Sequence, residues 1–102
     1  MICVIAAIEV AEGRRDEFLT VFRKLVPVVR AEAGCLEYGP MLDYPAGLAG
    51  QQPLRPNTVT VLEKWQSPAA LEAHLATAHM QKFFADTQRL RKGLVLQILQ
   101  PA

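Results

Sequence analysis

The stretch Thr58-Val59-Thr60-Val61-Leu62-Glu63-Lys64-Trp65, followed by Gln66-Ser67-Pro68, decides the fold of this chain. It alternates with period two, so Val59, Val61, Glu63 and Trp65 share one face of a strand while Thr58, Thr60, Leu62 and Lys64 share the other. Ser67 is a natural N-cap and Pro68 a natural first helical residue, because Pro has no amide to waste at that position. A strand running directly into a helix follows. Leu71, His74 and Leu75 continue at helical spacing, the chain is expected to break near Thr77, and Thr77 can cap a further helix holding Met80, Phe83, Phe84 and Leu90, ended by Gly93.

Working outward, Leu94 to Gln100 reads as a last strand, with Leu94, Leu96 and Ile98 opposite Val95, Gln97 and Leu99. Upstream, Asp43 to Asn57 carries Pro45, Gly47, Gly50, Pro53 and Pro56 without periodicity and is a long loop, the kind that serves as a lid or an interface arm. Cys35 to Leu42 reads as a strand placing Leu36, Tyr38 and Leu42 on one face, bulged or bent at Gly39-Pro40. Gly34 supplies the left-handed stop of the preceding helix. That helix, within Gly13 to Glu32, carries Phe18, Phe22, Leu25 and Val29 as one apolar stripe, with Asp16 and Glu17 near its positive end. Pro27 removes one amide and predicts a kink or a change of helix type there. Ile2 to Glu9 is almost continuously apolar, which suits a central strand covered on both faces.

The order β-α-β-β-α(α)-β is that of a ferredoxin-like α+β sandwich, a single domain over residues 1–102 with an antiparallel sheet in strand order 4-1-3-2 and helices on one face. The other face remains apolar, and a second copy of the same sheet is the economical cover, so a homodimer is expected. Hydrophobic residues make up 51% of the chain and charged residues 21%, a surplus of apolar side chains that fits an interface or a lined cavity. Eleven basic residues against ten acidic ones leave a formal charge of +1, which offers no field for nucleic acid or an anionic membrane. Cys3 and Cys35 lie on strands that are not neighbours in this order and are expected to be reduced. The apolar N-terminus has no basic lead and is cut short by Glu9, so it reads as neither signal peptide nor membrane span, and a cytoplasmic location is expected.

His74 is the first candidate for chemistry, being the side chain suited to proton exchange near neutral pH. A histidine on a helix is equally able to be packing. His79 lies five residues on, about 140° around an uninterrupted helix, so the two converge only if the chain bends near Thr77. Trp65, Tyr38 and Phe83 can line a pocket for a flat ligand or fill the core. Glu63 shares the face of Val61 and Trp65, so it is either paired across the sheet or placed at a pocket to orient a histidine or hydroxyl. Only Glu63 and Glu72 stand near enough in sequence to join the histidines around a metal, so no metal is expected. Phosphate loops and nucleophile motifs are missing, and Arg89-Leu90-Arg91-Lys92 reads as a solvated helix end.

The Glu63-Lys64-Trp65 strand end, the helix with His74, the following His79, and Gly34-Cys35-Leu36-Glu37-Tyr38 together resemble the antibiotic biosynthesis monooxygenase family. That resemblance implies a dimeric α/β barrel fold and several possible activities. Heme-degrading relatives use an Asn, a Trp and a heme-ligating His at places that fall on Ala7, His74 and Phe84 here, so heme is disfavoured. The resemblance then implies a cofactor-independent monooxygenase that oxidises a hydroquinone, naphthol or anthrone with O2. In that reading His74 is the base or proton relay, His79 its partner, Glu63 the orienting group, and Trp65, Tyr38 and Phe83 the substrate pocket. A signalling-sugar isomerase of the same family and a non-catalytic dimeric small-ligand binding module are the alternatives.

Overall fold

A computed structural model describes residues 1–102. Strand β1 (Ile2–Val10) leads into helix α1 (Arg15–Arg30), strands β2 (Cys35–Met41) and β3 (Thr58–Trp65), helices α2 (Pro68–Leu75) and α3 (Ala78–Thr87), and strand β4 (Arg91–Leu99). The four strands form one antiparallel sheet in the order β2-β3-β1-β4, as the element order predicts. This is a ferredoxin-like α+β fold.

The alternation of β3 becomes burial: Val59, Val61, Glu63 and Trp65 all lie under the helices. Their β1 partners continue that face, Ala6 opposite Val61 and Ile8 opposite Val59. Helix α1 lays Phe18, Phe22, Leu25 and Val29 on the same core, with Leu19 and Val26 widening the stripe. Phe22 stacks on Tyr38 at 5.7 Å and meets Phe83 edge-on at 5.7 Å, which ties α1, β2 and α3 through one aromatic cluster. Helix α1 runs through Pro27 as unbroken α-helix, so the missing amide changes no helix type.

The caps read from sequence are made. Ser67 Oγ accepts from the Ala70 amide with Pro68 at the first helical position, and Thr77 Oγ1 accepts from the Met80 amide. Three expectations are corrected. Helix α3 ends at Thr87, not at Gly93, which lies inside β4. Arg91 explains part of this: its guanidinium donates to the Phe84 carbonyl and the Thr87 hydroxyl, closing the helix from the strand side. The bulge of β2 falls between Cys35 and Glu37, while Gly39 and Pro40 stay in register with Leu62 and Val61. That extra residue puts Cys35 and Tyr38 on one face, opposite Trp65 and Glu63, and leaves Leu36 and Leu42 exposed.

Beta-2 and β1 are separated by β3, so Cys35 and Cys3 sit on non-adjacent strands and both thiols are free. Residues 42–57 form no helix or strand. Arg55 fastens the two ends of this loop, donating from its backbone amide and guanidinium to the Asp43 carboxylate. No helix is long and apolar enough to cross a membrane. On the sheet face away from the helices, Val95 is 68% exposed beside half-buried Ile5, Ala7 and Leu62.

Candidate functional site

The site is built where the turn after α1 meets the corner between α2 and α3. Gly34, at φ +83°, turns the chain from α1 into β2, and its carbonyl accepts from the Gln66 amide at 2.9 Å. A Cβ at Gly34 would stand 2.6 Å from the Ala70 Cβ, so the turn rests directly on the first turn of α2. His74 lies four residues beyond Ala70, on the same side of α2. Glu32, two residues before Gly34, is thereby brought against it.

The chain then breaks where Thr77 donates its hydroxyl proton to the His74 carbonyl at 2.8 Å and caps α3. This corner brings His79 back toward His74. Glu32 Oε2 lies 2.9 Å from His74 Nδ1 and 2.8 Å from His79 Nε2. A carboxylate can only accept, so each ring presents N–H to it, an arrangement in which an imidazole at His74 carrying one ring proton has its lone pair on Nε2. His74 Nε2 has no hydrogen-bond partner in the chain, yet no fully occluded side-chain polar atom is left unpartnered, so Nε2 retains access to open space.

His74 is 1% exposed and sits between two aromatic rings. Trp65 lies 4.6 Å from it, centroid to centroid, and Tyr38 meets it edge-on at 5.6 Å. His74, Tyr38, Glu63 and Phe83 line a cavity of about 90 Å³ whose remaining walls are apolar, among them Val61 and Met80. Leu94 and Leu96 of β4 stand at its edge and are half exposed. The cavity is therefore open toward the β4 side.

Glu63 points at this space but touches neither histidine; its Oε1 accepts from the indole N–H of Trp65 at 3.0 Å. Burial pushes the Glu63 carboxyl above the ordinary carboxylate range, opposed by that indole N–H and by the nearby His74. Burial, reinforced by the charges of Glu63 and Glu32, also pushes the Tyr38 phenol upward, so it stays a proton-bearing donor at neutral pH. The Cys35 thiol is raised by burial too, with Glu32 and Glu63 adding to the effect, which makes it a poor nucleophile.

Of the residues singled out from sequence, His74, Tyr38, Glu63 and Phe83 meet at one cavity, and Trp65 backs them without lining it. His79 stands outside the cavity and reaches His74 only through Glu32. Glu32 was not among those residues. It follows α1 directly, where a negative charge opposes the helix dipole, and that local misfit was the signal available.

Comparison with known proteins gives a consistent result. Residues 1–86 match the family described as antibiotic biosynthesis monooxygenase. The chain is 39% identical over 103 residues to the protein named Probable quinol monooxygenase YgiN of Escherichia coli strain K12, covering 99% of this chain and 98% of that one. Among solved structures it is similar to PA3566 from Pseudomonas aeruginosa, with a TM-score of 0.82 and 29% identity over 99% of this chain and 93% of the other. It is also similar to a crystal structure of an antibiotic biosynthesis monooxygenase, with a TM-score of 0.81 and 25% identity over 100% and 99% of the two chains.

Proposed function

The chain belongs to the antibiotic biosynthesis monooxygenase family, and from that premise we propose that it oxidises a small hydroquinone-like aromatic with O2, using no cofactor and His74 as its base. The observation that carries this reading is the Glu32–His74 pair beside the apolar cavity. A carboxylate on Nδ1 fixes the tautomer, leaves Nε2 as acceptor, and stabilises the imidazolium that forms when a proton is taken. Glu32 thus takes the orienting role expected of Glu63.

The chemistry needs little else, because an ionised hydroquinone can reduce oxygen itself. His74 Nε2 removes a phenolic proton and Tyr38 donates to the resulting oxyanion. One electron passes from the phenolate to O2, and the radical pair combines at a ring carbon to give a peroxide anion that takes the proton back from His74 and becomes a hydroperoxide. That carbon loses its proton, the O–O bond breaks, one oxygen stays as a carbonyl and the other leaves as water. Hydroquinone plus O2 becomes hydroxyquinone plus water. Glu63, held toward its protonated form, is suited to deliver the proton that the departing oxygen takes.

Size narrows the substrate. An apolar cavity of roughly 150 Å³ holds no more than about one benzene ring. The space here is about 90 Å³ with half-exposed Leu94 and Leu96 among its walls, so a single ring entering from the β4 side suits it better than a fused three-ring anthrone. The apolar lining also speaks against a phosphorylated sugar, and Lys82 is already tied to Asp86. We assign the outer sheet face around Val95 to a second copy of the chain. Oxygen uptake by metal-stripped protein with single-ring hydroquinones is the test. Stimulation above the spontaneous rate, lost by about 100-fold or more in His74→Ala, is expected; equal uptake by both proteins would remove His74 as base.

A further inference from the structure

Three ligand-type side chains converge, Glu32 and His79 outside the cavity and His74 in its wall, and their donor atoms all lie within 4.8 Å of one another. We propose that they form a binding site for one divalent zinc-class cation, and that occupancy switches off the base. Ligands held about 2.0–2.1 Å from one metal at tetrahedral or octahedral angles stand about 2.8–3.4 Å apart. Glu32 Oε2 is 2.9 Å from His74 Nδ1 and 2.8 Å from His79 Nε2. The distances that serve two hydrogen bonds therefore also suit two adjacent pairs of coordination positions.

The donor set and its surroundings point the same way. Two imidazoles and one carboxylate leave a fourth position for water, a set that zinc accepts. His74 and Glu32 are nearly enclosed while the His79 side chain is 30% exposed, so the cation has a route in past His79. The groove on that side also holds Lys24 and Lys82, of which Lys82 is neutralised by Asp86. Neither Glu32 nor His79 lines the apolar cavity, so the cation would stand behind His74, away from substrate. That position separates it from an oxygen-activating iron site, whose open positions must face the reacting molecule.

The consequence is a swap of protons. Coordination takes the lone pair of His74 Nδ1, so the ring proton must sit on Nε2, the atom that otherwise accepts the phenolic proton. Base and metal ligand are alternative states of one ring. This consequence, unlike binding itself, rests on the proposed function.

Titration calorimetry with zinc chloride and the EDTA-treated chain tests the site. The expected result is one zinc per chain, with affinity falling on the order of 100-fold in Glu32→Gln and in His79→Ala and unchanged in Cys35→Ser. Nitrogen-resolved NMR of the histidine rings reads the swap without reference to turnover: His74 moves from Nδ1–H to Nε2–H on saturation. Absence of binding, or binding untouched by both ligand variants, overturns the site. Stoichiometric binding with an unchanged His74 tautomer overturns the switch alone. Zinc inhibition of oxygen uptake in step with binding supports both, and uptake unaffected by saturating zinc refutes the switch wherever His74→Ala has abolished that uptake.

Discussion

Replacing Glu32 separates the role of orienting carboxylate from that of mere packing. In the resting site Glu32 Oε2 accepts from both imidazoles, and when His74 takes a proton that contact strengthens into an ion pair in a nearly enclosed setting. Such bonds contribute about 1.5–3 kcal/mol and neutral ones about 0.5–1.5 kcal/mol. Glu32→Ala removes both that strengthening and the tautomer control that keeps Nε2 free, so kcat should fall about 10- to 150-fold. Glu32→Gln keeps an acceptor oxygen and loses the charge, a deficit of about 1–1.5 kcal/mol or about 5- to 15-fold. Because Glu32 does not line the cavity, KM should hold in both variants. Oxygen-electrode kinetics with a single-ring hydroquinone and EDTA-treated protein give the split. Glu32→Ala also strands the buried His74 N–H, a loss of about 1–3 kcal/mol in stability, so its thermal midpoint must be recorded beside the kinetics. A folded Glu32→Ala variant with kcat within about twofold of the parent, below the range from charge-assisted bonding, would refute the reasoning. So would a loss confined to KM.

Gly34→Ala should cost about 2–4 kcal/mol, since it combines left-handed strain with a 2.6 Å approach to Ala70 Cβ; a denaturant midpoint equal to the parent's would contradict the close packing of that turn on α2. Glu63 supplies a pH signature. Its folded-state carboxyl is raised above its ordinary value of 4.5, so its contribution is present below that value and is lost as pH rises through the raised one. Glu63→Gln keeps an acceptor for the Trp65 indole and should therefore gain stability relative to the parent as pH rises above 4.5; parallel unfolding midpoints on rising from that pH would show that burial does not penalise the charge. Val95→Glu places a charge on the outer sheet face and should convert a dimeric parent into monomer in sedimentation equilibrium, with the circular dichroism unchanged; a variant that stays dimeric would locate the interface elsewhere.

What was legible in the sequence, and what was not, follows from how far each signal reaches along the chain. The alternation of Thr58 to Trp65 and the caps at Ser67 and Thr77 are local, and each appears where its chemistry requires. The break at Thr77 is also what lets His74 and His79 converge, so even that long-range consequence could be stated as a condition. The β2 bulge could not be located, because it is decided by pairing with β3: two residues of β2 oppose one step of β3 so that Cys35 and Tyr38 can both reach the core. Glu63 drew notice because a carboxylate on the face of Val61 and Trp65 breaks a pattern. Glu32 broke a quieter rule, a negative charge at the negative end of a helix, and such residues are common enough on surfaces to pass unremarked. Here its partners are 42 and 47 residues away in sequence. A carboxylate left where its own helix disfavours it is best explained by a distant proton or cation, and at Glu32 two imidazole protons supply that reason.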